Sequence, residues 1–289
     1  MNTKDIFNFN RFGKYFVSDL KTCAANYGLS LLVTSLLLPI AAYCITVCFN
    51  AMMSSPWNGP DLWLRATCFC IAMVCITVQM PVKCYGRITE KQYGSFWLTL
   101  PASHLEKFVS MLLMTCIIVP VIGAAGFIGI DTIICALDHT CGENIITGIS
   151  GLFTQMIASG DVTVNLLNEG VPIEDAQAIS RVIEQVTSPW LYIDEIFAIT
   201  LPFLLGAVFF KNGKTVKTFL ALFAFGTAVS IISTPFMTKW AVEIMNGDMM
   251  KMLDNEIFKN LTLIDTISDA IVNIALMTGI WFRIKNLKH

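Results

Sequence analysis

Six runs of about 20 residues, almost free of charge, leave this chain few folds to choose from. They are Leu29–Met53, Leu62–Val82, Phe108–Ile130, Ile193–Phe210, Phe219–Met237 and Leu261–Phe282. A bilayer's hydrocarbon core is about 30 Å thick, and a helix needs about 20 apolar residues to cross it. With no water there, every backbone N–H and C=O must be bonded within the segment, which a helix does. The chain is 55% hydrophobic and 14% charged over 289 residues, with a mean hydropathy of +0.66. A soluble domain averages about 45–50% apolar residues and disperses them. The expectation is an all-α, polytopic membrane protein with six transmembrane helices. The first run is too long for the apolar region of a cleavable signal and reads as a span.

The cations orient the bundle. Of the 19 Lys and Arg, only Arg65, Arg181, Lys239, Lys251 and Lys259 fall on one side; the other fourteen lie on the opposite side. Lys and Arg concentrate in cytoplasmic connections. Both termini are therefore expected inside, as is the connection 83–107, whereas 138–190 and 239–260 are expected outside. The formal net charge of −2 carries no sign of nucleic-acid binding.

Residues 1–28 read as an amphipathic helix lying in the inner interface, followed by the transmembrane domain 29–289. Phe9, Phe12, Phe16 and Leu20 recur at helical spacing, with Arg11, Lys14 and Lys21 elsewhere around the wheel. Rings in the acyl boundary and cations toward anionic headgroups would hold such a helix at the surface. Most of the ten cysteines sit inside apolar runs and read as small hydrophobes. Only Cys135 and Cys141 are placed to meet an oxidising face. No Cys/His spacing suggests a metal site. The phosphate-binding loop, the nucleophile elbow, the zinc-protease motif and the dinucleotide fingerprint are all missing from the sequence. Enzymatic activity is not expected.

Polar residues inside the spans deserve separate weighing. Gly123, Gly126 and Gly129 make the third run a close-packing helix. In the sixth run Asp265, Asp269 and Asn273 fall at i, i+4 and i+8, on one helix face. Asn273 would lie about 18 Å below an outer boundary at Leu261, near mid-bilayer. Polar groups there are costly unless they face a partner helix or a wet cavity. Two readings stay open: part of a transport path or ion site, or a hydrogen-bonded helix contact. Asp131 reads as interfacial.

The inner connection 83–107 is too polar for hydrocarbon, yet it carries Tyr93, Phe96, Trp97, Leu98, Leu100 and Leu105. Glu90 to Trp97 can form a short helix. Pro101 cannot continue a helix and biases Leu100 toward extended backbone. Ser103 can then cap a new helix, with Glu106 at the third position completing a capping box. An amphipathic knob of this kind suits docking of a partner; plain anchoring of its rings at the inner interface is the simpler reading.

This pattern resembles an ABC type-2 permease, the membrane subunit of an ATP-binding-cassette exporter. In that family a Leu-Pro-small-Ser run with a basic residue precedes the third span; here it is Leu100, Pro101, Ala102 and Ser103, then Glu106 and Lys107. The Phe9-Asn10-Arg11-Phe12 run is similar to permeases of this kind from Bacteroidetes. Two features depart from the family: His104 stands where Arg is frequent, and 138–190 is unusually long. The resemblance implies a bacterial inner-membrane protein whose coupling helix docks a separate cytoplasmic ATPase. Tyr93, Gly94, Phe96, Trp97, Leu100, Pro101, Ser103, Glu106 and Lys107 would make that contact. It further implies a second permease copy or a homologous permease, membrane lipids as neighbours, and ATP with Mg held by the partner. An ion-coupled carrier using Asp265 and Asp269, or a non-transporting sensor or assembly component, are the alternatives.

Overall fold

In the computed structural model of the chain, residues 7–53, 57–148, 189–245 and 261–287 are described. Among them the protein is helical, without strands. The helices are α1 (Phe9–Met53), α2 (Leu62–Tyr85), α3 (Lys91–Thr99), α4 (His104–Leu112), α5 (Val119–Leu137), α6 (Pro189–Phe209), α7 (Lys214–Met245) and α8 (Leu261–Lys285). Five helical stretches are long and apolar enough to cross a membrane: Phe9–Met53, Leu62–Thr89, His104–Leu137, Lys214–Pro235 and Ile267–Lys285. At the expected fourth span, the described residues give the shorter apolar stretch Glu195–Phe209. Most of the segments 138–190 and 239–260 lies outside the described residues.

The helix runs on through residue 28 without a break. Interface helix and first span are one 45-residue helix, about 68 Å long at 1.5 Å per residue. Gly28 is the weakest helix former at the junction, and a lone glycine costs only about 1 kcal/mol relative to alanine. Continuous packing along one stripe, through Tyr15, Cys23, Leu31, Ser35, Pro39 and Ala42, outweighs it.

The chain divides into two compact units. The first comprises residues 1–149, 199–217 and 275–289. Its centre is the mutual packing of α1, α2 and α5. Leu31, Ile76, Met80 and Val119 form one buried cluster; Ala72, Phe127 and Ile145 form another, with the Phe69 ring edge-on to Phe127 at 5.2 Å. The glycine stripe of α5 does the close packing at two of its three positions. A Cβ on Gly123 would lie 2.7 Å from Ile76 Cδ1, and one on Gly126 would lie 2.7 Å from Ser35 Oγ; at Gly129 it would meet nothing within 4 Å.

Between α4 and α5, Leu113–Ile118 widens into a π-helical turn, in which Val119 N–H donates to Met114 O. Pro120 explains it. Its ring cannot donate to, and clashes with, the carbonyl four residues back, so the chain takes the wider turn there. The second unit comprises 150–198 and 218–274. Its part of α7 exposes Phe219, Leu220, Phe223, Phe225, Ile231 and Ile232, the surface that hydrocarbon requires.

Candidate functional site

The connection 83–107, expected on the inner side, folds as a short 3-10 turn (Gly86–Thr89), α3, an extended Leu100, and the start of α4. The capping box forms as the sequence implies. Glu106 N–H donates to Ser103 Oγ at 3.2 Å, and Ser103 N–H donates to Glu106 Oε2 at 2.9 Å.

Neighbouring Glu106 and Lys107 then reach in different directions, both almost wholly buried. Glu106 receives the Arg11 fork, from Nε at 2.8 Å and from Nη2 at 2.8 Å, and also the Asn8 N–H at 2.8 Å. Fork-like arginine–carboxylate pairing fixes geometry as well as charge. Arg11, expected at the lipid surface, is therefore clamped onto the foot of α4. Lys107 Nζ donates to the carbonyls of Trp97 at 2.8 Å and Leu98 at 3.2 Å, and lies 4.9 Å from the centre of the Trp97 ring. Those carbonyls belong to the last turn of α3, where unpaired C=O groups and the helix dipole favour a cation.

Trp97 is 3% exposed, with its Nε1–H donating to Tyr15 Oη at 3.1 Å. That corrects the expectation that Trp97 faces a partner: the ring is held by α1 and α4 of its own chain. Gly94 is buried and Tyr93 half-buried, so they are not free docking residues either. The Arg87 guanidinium covers the Tyr93 ring at 5.3 Å. Phe96 is 62% exposed. Among the described side chains of α3, Gln92, Ser95, Phe96 and Thr99 are exposed, at i, i+3, i+4 and i+7, and together they make one face. The residue types of Gln92, Ser95 and Thr99 carry no mark of this face; the inward turn of Trp97, which sets the phase of α3, brings them to it.

Further bonds secure the foot. Asp19 Oδ2 accepts from Tyr85 Oη at 2.8 Å and from Ser110 Oγ at 2.7 Å, joining α1, α2 and α4. Lys83 Nζ donates to Ser30 Oγ, and Lys214 Nζ donates to Gly86 O. An open cleft of about 510 Å³ lies between the first turns of α1 and the exposed Pro101, lined by Asn8, Asn10, Arg11, Lys14, Tyr15, Ser18, Leu100 and Pro101. Phe9 is exposed, and the Phe12 and Phe16 rings stack at 5.7 Å.

At the opposite end of the same unit, Arg65 and Asp131 form a buried ion pair at 3.1 Å. Asp131, expected at the outer interface, is buried within this unit. Arg65 Nη1 also donates to Cys135 Sγ at 2.8 Å, and Nη2 donates to the carbonyls of Cys141 at 3.0 Å and Glu143 at 2.7 Å. Beside it, Asp138 accepts from Tyr43 Oη at 3.0 Å, Trp57 Nε1 at 2.9 Å, and Thr140 through N–H and hydroxyl. The Thr140 hydroxyl is the largest of these influences, and together they hold the Asp138 carboxyl down at about 2. The opposite signs of Arg65 and Asp131, each near the same end of its run, were the signal that could have paired them.

Of the polar stripe, Asn273 is buried and Asp269 half-buried; the Asp265 side chain lies outside the described residues. Among the described residues no group of His, Cys, Asp and Glu is arranged to hold a metal ion. Comparison with family models, with curated proteins and with solved structures found no match for the chain.

Proposed function

We propose that this chain is the permease subunit of an ATP-driven exporter of the ABC type-2 kind. It crosses a bacterial inner membrane six times with both ends inside, and pairs with a second copy or a homologous permease. A cytoplasmic ATPase, carrying the ATP and Mg, docks on α3; the permease itself makes and breaks no covalent bond. One observation carries the reading: α3 offers a single exposed face (Gln92, Ser95, Phe96 and Thr99), while its other side and its C-terminal end are bonded to α1 and α4. A surface helix that merely covers the bundle needs no such attachments. Movement of a docked partner passes through Lys107 into the rod His104–Leu137 and through Trp97 and Glu106 into α1. The cleft beside Pro101 gives a partner's side chain a place to enter next to that face.

Phe96→Asp tests it. A buried aromatic at the centre of an interface is worth about 2 kcal/mol or more. The variant should insert normally yet lose co-purifying ATPase, and unchanged co-purification would reject the docking role. Half-buried Asp269 keeps an ion-coupled carrier as the second reading. In that case Asp269→Asn abolishes transport, and transport survives loss of the ATPase.

A further inference from the structure

We propose that Cys135 and Cys141 are joined as a disulfide in the working protein, stapling the outer turn His139–Cys141 to the last turn of α5. The inference rests on the orientation in the proposed function, which turns this end of the unit toward an oxidising compartment. Four observations carry it. These two cysteines alone were placed by the sequence at the outer end of a run. Both are buried as free thiols, 8% and 6% exposed, and the chain turns back between them: Cys141 N–H donates to Asp138 O at 3.1 Å, and Cys135 Sγ lies 3.9 Å from Glu143 O, two residues past Cys141. One guanidinium binds both residues, with Arg65 Nη1 on Cys135 Sγ and Nη2 on the Cys141 carbonyl. Finally, the turn that carries Cys141 closes the outer end of the unit: Asp138 holds Tyr43 and Trp57, and Thr140 Oγ1 accepts the Gly59 N–H at 3.0 Å.

Gly59 shows how tightly Cys141 is covered. A Cβ there would lie 2.6 Å from Cys141 Sγ and 2.8 Å from its backbone nitrogen, so only glycine lets residues 57–61 close over the turn. The staple would hold that closure against the opening and closing of a transport cycle.

The chemistry is thiol–disulfide exchange with a protein disulfide of the outer compartment. As the chain folds, before residues 57–61 close over the turn, the Cys141 thiolate attacks one sulfur of that disulfide, forming a mixed disulfide and expelling one thiolate. The Cys135 thiolate then attacks Cys141 Sγ and expels the second. Two cysteine thiols are oxidised, the donor disulfide is reduced to a dithiol, and the two protons pass to its thiolates.

The test uses the full chain in cells quenched with acid and alkylated under denaturing conditions without reductant. Cleavage after Leu137 then separates the two cysteines. The expected result is that peptides containing Cys135 and Cys141 stay linked until reductant is added, while the other eight of the ten cysteines are alkylated at once. Cys135→Ser should leave Cys141 alkylated without reductant. Full alkylation of both cysteines, or linkage of either to a different one, would overturn the inference. A Gln92→Cys variant probed with a membrane-impermeant maleimide separates the staple from the orientation on which it rests. Unlinked cysteines with Gln92→Cys reactive only from inside sink the staple alone; reactivity from outside sinks the orientation with it.

Discussion

Glu106 and Lys107 are adjacent in sequence, both buried, and bonded to different helices. That split ties the connection 83–107 to α1 and α3 at once. Lys107→Met keeps the length of the side chain but removes the cation from the last turn of α3, leaving two carbonyls to find other donors. Stranding a buried hydrogen-bonding group costs about 1–3 kcal/mol. The expected outcome is faster hydrogen exchange across Lys91–Thr99 with α1 and α2 unaffected. Trp97→Ala should lower thermal stability in detergent by about 3 kcal/mol or more, whereas Phe96→Ala, on the exposed face, should leave it unchanged. Equal destabilisation by the two would contradict the assigned burial. Asp138 gives a pH signature. Its carboxyl is held at about 2, below the ordinary carboxylate value of about 3.9, so its contribution is complete above the latter and is lost as pH falls through about 2. Acid unfolding of the wild type should steepen between those values, and Asp138→Asn should flatten it.

At the scale of elements, the glycines of α5 offer a paired test. Gly126 touches Ser35 and Gly129 faces open space. Gly126→Leu should destabilise the packing of α1 on α5 by about 1–3 kcal/mol, and Gly129→Leu should be tolerated. How much of this was legible follows from the range of each interaction. The capping box spans three residues, so Ser103 and Glu106 could be read directly. The helix at 90–97 was legible for the same reason. Its phase was not: whether Phe96 or Trp97 turns inward depends on the Tyr15 hydroxyl and the Lys107 carbonyl bonds, which join parts of the chain distant from the helix itself. The continuity of α1 was missed because ring spacing marks an amphipathic face without saying where a helix stops. Arg65 and Asp131, 66 residues apart, needed the packing of α2 on α5 to meet.

For the whole molecule, the apolar runs make a helical membrane protein, and the positions of the cations with the anchored short helix motivate the proposed docking account. Its central claim is that the exposed face of α3 binds an ATP-hydrolysing subunit. The most direct measurement places a photo-crosslinking residue at Ser95, irradiates intact cells and identifies the adducts by mass spectrometry. The account predicts a covalent adduct with a cytoplasmic ATP-binding protein, lost when Phe96→Asp is added. Adducts with lipid alone would mean that α3 is only an interfacial anchor, and would contradict it.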